Sequence, residues 1–373
     1  MGREWGLTAT QLRVIGNEGA VRLRRHRHEG FQLAAGAPMG GHDLYTLCQP
    51  LLDIQLEVSE AALATLPFEK GARTLVSDDE QAGALAAPAL EGVERTLSAG
   101  GAAANTTFGF VSLGGDAAVT GKVGADEHAT AALADMRAQG VDILGGEGQG
   151  ATGVCLSLAT PDAERTMLTS LGVSGELTRA DIDWGALRST RCLLVELYLW
   201  AVPAAAEAAE AAIEAAANAG VLVALTLSDA GMVRIHRAAL LRLLGKVDIL
   251  LGNEAEALAL MEAPTPAECV AEAAGSCGRV VVTLGAEGAL VAEDGGAPEL
   301  VPARQGVSAV DTTGCGDIFA AAVLHAVLCR EAGLAAAARV GAAAAAFVAS
   351  RPGPRLLQEE AVSLSRAPLE SRL

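Results

Sequence analysis

The second half of the chain alternates short apolar runs with segments of helical composition. The apolar runs at 192–197, 221–227, 247–251 and 279–285 lack the regular polar positions of a half-exposed strand, which is typical of strands buried on both faces. The longest intervening segment is rich in alanine and ends at Gly220, a common helix terminator. This alternation predicts a mainly parallel sheet with helices on both faces.

The first half of the chain is less regular. An opening strand is predicted within 42–54, a second strand at 117–124 and a helix at about 127–139. The segments 153–159 and 164–170 alternate apolar with polar residues around the turn TPDA, which predicts a half-exposed antiparallel hairpin. A hairpin inserted into a parallel-sheet protein is a candidate lid over a binding site.

Composition narrows the class of protein. Of 373 residues, 51% are hydrophobic and only 19% are charged, so a large core can form, and the net charge of −18 argues against nucleic acid or an anionic membrane as partner. The apolar runs are shorter than the roughly 20 residues of a membrane-spanning helix. The 7 cysteines form no CxxC pair, which favours a reducing, cytoplasmic location and offers no zinc-binding template.

The two ends of the chain differ from the part between them. Residues 1–43 are basic, then rich in glycine and small residues, and lack the apolar segment of a secretory signal. We expect a poorly ordered extension there, with an organelle-targeting segment or a mis-assigned start as alternatives. A single domain is expected at 44–365, followed by a tail at 366–373 whose end, SRL, resembles the peroxisomal SKL tripeptide.

The stretch DTTGCGDIF, at 311–319, places two glycines and two aspartates before a very apolar helix. The first N–H groups of a helix have no partner within the helix, and glycines let the backbone wrap closely around an anion. Asp317 could then accept a proton from a substrate hydroxyl beside a bound phosphate. The alternative is that Asp317 only caps the helix.

This stretch resembles the C-terminal motif of the PfkB (ribokinase-type) carbohydrate kinases. The paired glycines and the following Asn and Gly positions at 100–126, GNEAEA at 252–257 and VTLGAEGAL at 282–290 resemble the family's other motifs, in the same order. The segments PLLDI, ERTMLTSLGVS, LYLW, LTLSD and GPR resemble the adenosine-kinase-like branch. The chain departs from the family at Cys48-Gln49, where Gly-Asn is usual, and at Cys315, where Ala is usual.

The resemblance implies a three-layer ribokinase-like α/β fold with a small β-sheet lid from about 54–76 and 151–171. It also implies roles for individual residues. Asp317 would be the general base, and the amides of Gly314, Cys315 and Gly316 would hold the charge that develops on the phosphoryl group. The implied substrate-binding residues are Asp53, Gly100, Gly101, Asn105 and Arg165, of which Arg165 would reach the phosphates when the lid closes or would be an ordinary exposed hairpin residue.

The nucleotide would lie along the motifs of the second half. Thr283, Gly285 and Gly288 would border its phosphates, and its adenine would contact 306–310 and the helix at 341–349. Asn253 would bind the nucleotide and, with Glu256, would organise Mg²⁺ through water. Asp311 would support a monovalent cation such as K⁺ or, alternatively, stabilise a turn through its side chain.

The sequence therefore predicts an ATP- and Mg²⁺-dependent phosphotransferase whose first-choice acceptor is the 5′-hydroxyl of a nucleoside, adenosine above all. Phosphorylation of a sugar or sugar acid, such as ribose, fructose or 2-keto-3-deoxygluconate, is the alternative. A non-catalytic nucleotide-binding protein is a further alternative of another class, and both a monomer and a homodimer are compatible with the sequence. The position of Cys315 at a helix N-terminus predicts a lowered thiol pKa.

Overall fold

The computed structural model of the chain describes residues 41–162 and 164–369. The predictions for the N-terminal extension and for the SRL ending concern segments that lie outside these residues, apart from the first few positions of the domain boundary.

Fourteen strands within the described ranges form two separate sheets. The larger sheet has the order β14-β13-β12-β11-β10-β9-β1-β5-β6, and the smaller has the order β3-β8-β7-β2-β4. The strands are β1 (Leu44–Leu47), β2 (Leu51–Glu57), β3 (Arg73–Leu75), β4 (Thr96–Gly100), β5 (Ala117–Thr120), β6 (Asp142–Ile143), β7 (Val154–Ala159), β8 (Arg165–Ser170), β9 (Cys192–Glu196), β10 (Leu222–Thr226), β11 (Ile249–Asn253), β12 (Arg279–Thr283), β13 (Gly288–Glu293) and β14 (Glu299–Pro302).

The larger sheet confirms the predicted parallel core. The seven strands from β6 to β12 pair in parallel, in the register Leu44↔Cys192 and Leu44↔Ala117 at the centre. The last two strands, β13 and β14, run antiparallel at one edge. All four apolar runs of the second half contain a strand of this sheet, because strands buried on both faces tolerate few polar side chains.

Helices cover both faces of the larger sheet, as predicted. One face packs against α3, α10, α11 and α12, and the other packs against α5 to α9. The described helices are α1 (Glu60–Leu63), α2 (Asp78–Leu85), α3 (Ala102–Ser112), α4 (Glu127–Ala138), α5 (Trp184–Ser189), α6 (Pro203–Ala219), α7 (Ala230–Leu243), α8 (Glu254–Met261), α9 (Pro266–Ala274), α10 (Cys315–Arg330), α11 (Leu334–Ala349) and α12 (Gln358–Arg366). Among the described helices, none combines the length and apolarity that a bilayer crossing requires.

The opening strand predicted within 42–54 is wrong as a single element. The structure divides it into β1, in the larger sheet, and β2, in the smaller sheet. Pro50 lies at the break, where its missing N–H would interrupt a strand ladder. This break carries the chain from the sheet floor into the smaller sheet and leaves Gln49 between them.

The predicted hairpin is present as β7 and β8, paired antiparallel from Val154↔Ser170 to Ala159↔Arg165. It is more buried than expected, since neither strand contains an exposed residue. One face, which includes Leu156 and Leu168, packs into the core. The other face carries polar side chains and lies above the carboxyl ends of the parallel strands.

Candidate active site

The turn before α10 holds the predicted anion-binding backbone. Gly314 caps this helix with φ of 71°, and a Cβ there would overlap the side chain of Pro354. Both facts require glycine at this position. The N–H of Cys315 donates to the carbonyl of Thr312 at 3.2 Å, while Gly316 lies exposed in the first helical turn.

Asp317 lies in the same helical turn and contacts a distant part of the chain. Asn105 Nδ2, in α3, donates to Asp317 Oδ2 at 3.2 Å across a separation of 212 residues. Asn105 is only 7% exposed, and its Oδ1 atom has no hydrogen-bond partner among the described residues. A buried acceptor without a partner is unfavourable unless a ligand supplies a donor. The two predicted residues therefore form one polar site.

A buried glutamate that the sequence analysis missed connects the segments on the acceptor side of this site. Glu196, at the end of β9, is 1% exposed; its Oε1 accepts from the N–H of Gln49 at 2.5 Å, and its Oε2 accepts from the N–H of Ala103 at 2.9 Å. Gln49 is itself 3% exposed, and its Nε2 atom also lacks a partner within the described part of the chain. An unpaired donor and the unpaired acceptor of Asn105 thus belong to neighbouring segments.

Asp53 extends the polar site to the smaller sheet. Its carboxylate lies against the α-carbon of Gly100, where any Cβ would overlap the carboxyl atoms, and Gly101 follows as the residue before α3. Burial raises the pKa of Asp53 to about 7, although Arg355 and Arg165 act in the opposite direction. The predicted acceptor residues Asp53, Gly100, Gly101 and Asn105 are therefore adjacent in the structure.

The central carboxylates titrate near neutral pH. Burial raises the pKa of Asp317 to about 7, with Glu196 and Asp53 raising it further and Asn105 and Arg73 opposing the shift. Burial likewise raises the pKa of Glu196 to about 7 against the two backbone hydrogen bonds that it accepts. A carboxylate with a pKa close to the working pH is well suited to accept a proton from an alcohol.

Arg165 and Asp311 form an ion pair that joins strand β8 to the loop before α10. Arg165 Nη2 lies 2.6 Å from Asp311 Oδ2, and the two side chains are 14% and 8% exposed. Asp311 Oδ1 accepts from the N–H of Thr313 at 2.9 Å, which is the side-chain turn named above as the alternative role of Asp311. Its Oδ2 also accepts from the N–H of Gly353 at 3.0 Å.

The predicted nucleotide-binding residues lie at the carboxyl ends of β11 and β12. Asn253 and Glu256 form a reciprocal cap of α8, in which Glu256 accepts from the backbone N–H and from Nδ2 of Asn253 at 2.9 and 2.7 Å. Thr283 ends the neighbouring strand β12, followed by Gly285 and Gly288 at the turn into β13. Helix capping accounts for these contacts of Asn253 and Glu256 without excluding a water-mediated ion.

The segment expected to contact adenine presents apolar surface next to α11. Val307 and Val310 are 37% and 48% exposed, and the N–H of Val310 donates to the carbonyl of Ala349 at 2.7 Å. Exposed valines beside a polar cleft are suited to one face of a planar ring.

The lowered thiol pKa predicted for Cys315 is wrong. Burial raises its pKa to about 11, and the charges of Asp311 and Asp317 raise it further. The helix N-terminus favours a thiolate, but two carboxylates and the loss of solvent outweigh it.

Three further residues near the site were not assigned roles from the sequence. Arg355 Nη2 donates to Asp135 Oδ2 at 2.6 Å and to the carbonyl of Ala99 at 2.9 Å, so it supports the strand that leads into Gly100. Arg73 and Tyr198 hydrogen bond to each other above the ends of the parallel strands. The acid in the apolar run CLLVEL and the arginine of GPR were available signals, whereas short strand β3 gave none.

Comparison with known proteins agrees with this geometry. The profile of the pfkB family carbohydrate kinases matches residues 73–361. The fold is similar to the adenosine kinase from Sinorhizobium meliloti (33% identity, 87% of this chain and 98% of that chain, TM-score 0.79) and to a probable sugar kinase from Rhizobium etli CFN 42 (30% identity, 88% and 99%, TM-score 0.80). The ATP-dependent ribose-1-phosphate kinase of Halopiger xanaduensis is 31% identical over 229 residues, which cover 60% of this chain and 71% of that protein.

Proposed function

The chain belongs to the pfkB family of carbohydrate kinases and is an ATP-dependent phosphotransferase, and we propose that its acceptor is the 5′-hydroxyl of a nucleoside, adenosine first. Similarity to the S. meliloti adenosine kinase over nearly the whole of that chain supports this acceptor. The polar, partly unpaired lining near Asn105 and Gln49 supports an acceptor with several hydroxyl groups.

The contact between Asn105 and Asp317 carries the proposal. It brings the predicted acceptor-binding helix α3 and the predicted base on α10 within hydrogen-bond distance, and it leaves the Oδ1 acceptor of Asn105 for a ligand. A hydroxyl that donates to this Oδ1 would lie beside the Asp317 carboxylate. Proximity of this kind can supply a large part of the rate acceleration in a bimolecular reaction.

The transfer step follows from these positions. The acceptor oxygen forms a bond to the γ-phosphorus of ATP while the bond from that phosphorus to the β,γ-bridging oxygen breaks. The acceptor's proton passes to Asp317, and ADP leaves with the electron pair of the broken bond. Backbone N–H groups at the start of α10 stabilise the negative charge on the transferring group.

Mg²⁺ fits the donors on the nucleotide side as a water-mediated ion. Glu256 and the neighbouring Asp229 supply hard carboxylate oxygens, and burial followed by the charge of Asp229 raises the pKa of Glu256. A nearby divalent cation would therefore favour the ionised form of Glu256. When bound, Mg²⁺ would neutralise phosphate charge, while Asn253 and Glu256 would orient its waters. The monovalent cation proposed at Asp311 would have to share a carboxylate that already pairs with Arg165.

A sugar or sugar-phosphate acceptor is the second candidate. The similar proteins include a probable sugar kinase and a ribose-1-phosphate kinase, so relatives of comparable identity carry names with different acceptors. The non-catalytic alternative leaves unexplained why a carboxylate with a pKa near 7 lies next to the acceptor side of the site.

The test is ADP release from ATP and Mg²⁺ with adenosine, inosine, ribose, ribose 1-phosphate, fructose or 2-keto-3-deoxygluconate. We expect turnover on adenosine that Asp317→Asn abolishes while ATP binding, measured by calorimetry, persists. Turnover restricted to a sugar or a sugar phosphate would replace the proposed acceptor. ATP binding without turnover on any acceptor would contradict the catalytic proposal.

A further inference from the structure

Arg73 faces the active site from the edge of the smaller sheet. It lies in register with Met167 of β8, which pairs with Ser157 of β7, which in turn pairs with Gln55 of β2. Paired residues point to the same face of a sheet, and so do residues two apart in one strand. Arg73 therefore shares the face of Asp53, the acidic residue on the predicted acceptor side.

The side chain of Arg73 reaches groups at the carboxyl ends of three parallel strands. It hydrogen bonds to Tyr198 and lies within electrostatic reach of Asp229 and Asp317. Burial opposes its charge, but these three groups outweigh that effect and raise the pKa of Arg73. The hydroxyl of Tyr198 also contacts the carbonyl of Ser228 at 3.4 Å, so it can donate there while accepting from Arg73.

Arg73 differs from the other arginines around the site in its pairing. Arg165 pairs with Asp311, and Arg355 pairs with Asp135, both at 2.6 Å. Within 41–162 and 164–369, Arg73 has no carboxylate within 4.0 Å, and its side chain is exposed in the open cleft. Lid closure over a neutral acceptor would bury this guanidinium without an anionic partner, which is unfavourable.

We propose that Arg73 binds a phosphate group carried by the acceptor, so that the site also accepts a pentose phosphate with a free primary alcohol. A guanidinium forms paired, charge-assisted hydrogen bonds with a phosphate. The phosphate replaces Tyr198 as the partner of Arg73 or bonds beside it. Asp317, Asp53 and Asn105 keep their roles toward the hydroxyl groups.

This inference rests on the proposed phosphotransfer, and the step is the same for the new acceptor. The primary alcohol oxygen bonds to the γ-phosphorus, its proton passes to Asp317, and ADP leaves. The product carries two phosphates, and the one already present on the acceptor is not transferred.

Affinity measurements separate the inference from the proposed function. Calorimetry with the whole chain, Mg²⁺ and a non-hydrolysable ATP analogue would compare ribose 1-phosphate with ribose for the wild type, Arg73→Gln and Arg73→Lys. Arg137→Gln, an equal charge change at an exposed position of α4, is the matched control. We expect the affinity ratio between ribose 1-phosphate and ribose to fall about 100-fold in Arg73→Gln, with partial recovery in Arg73→Lys, because loss of a charge-assisted pair has effects of this size.

Each outcome decides one proposal. A wild-type protein that binds ribose 1-phosphate no better than ribose overturns the role of Arg73, even if adenosine is turned over. Equal losses for both ligands in Arg73→Gln, or a loss confined to the ATP analogue, assign Arg73 to the fold or to the nucleotide and also overturn it. Selective loss for ribose 1-phosphate, in a protein that turns over no nucleoside, supports Arg73 and removes the nucleoside proposal.

Discussion

Replacing Glu196 tests whether one buried carboxylate holds the acceptor side together. Glu196→Gln keeps an oxygen for one of the two backbone N–H groups of Gln49 and Ala103 but turns an amide N–H₂ toward the other. Glu196→Ala removes both acceptors and leaves two buried donors unpaired.

The structure gives the expected magnitude. An unsatisfied buried donor is unfavourable by about 1–3 kcal/mol, so we expect the free energy of unfolding to fall by about 1–3 kcal/mol in Glu196→Gln and by about 2–6 kcal/mol in Glu196→Ala. Loss of the negative charge also acts on Asp317, whose pKa Glu196 raises. The pH at which activity rises should therefore shift downward in Glu196→Gln.

Urea unfolding and the pH dependence of kcat/KM measure these two effects separately. Glu272→Gln, at an exposed position of α9, controls for the general effect of removing a charge. A Glu196→Gln protein with the wild-type urea midpoint and an unshifted pH profile would refute both parts of the reasoning. A lower midpoint with an unshifted profile would show that Glu196 supports the fold but has no influence on Asp317.

Four further predictions follow from the geometry of the site. Asp317→Asn should lower kcat by at least about 100-fold with little change in ATP affinity, as loss of a general base does, and a smaller loss by steady-state kinetics would mean another base. Gly314→Ala should lower both Tm and activity, because φ of 71° and the contact with Pro354 disfavour a side chain there; an unchanged Tm would contradict this. The Tm of the ligand-free protein should fall as pH rises from about 5 to 8, because Asp53, Glu196 and Asp317 have pKa values near 7 when folded and near 4 when unfolded, so their contribution is complete below pH about 4 and is lost as pH rises through 7. Cys315 should react slowly with iodoacetamide at pH 7, as followed by mass spectrometry, and rapid alkylation would show that its pKa is not raised.

The sequence was sufficient for the parallel core because each of its strands is a short apolar run of its own. It was insufficient where one run covers two strands, as at 42–54, since hydrophobicity does not show which sheet a residue joins. Strand β3 has only three residues, too few for any period to be recognised.

The site shows the same division between local and distant information. Residues within a motif, such as Gly314 and Asp317, were placed correctly in relation to the start of α10. Glu196 was missed because its partners lie 147 and 93 residues away in the chain. The pKa of Cys315 was predicted from the local helix N-terminus alone, whereas burial and two carboxylates determine its direction.

The acidity of the site has to be reconciled with an anionic substrate. With a net charge of −18 and several acidic residues around the cleft, a protein of this composition would repel ATP. The ion pairs with Arg165 and Arg355 neutralise Asp311 and Asp135. Burial leaves Asp53, Glu196 and Asp317 only partly ionised near pH 7. The burial that makes Asp317 a base near neutral pH therefore also reduces the repulsion that the nucleotide meets, and one physical cause serves both binding and proton transfer.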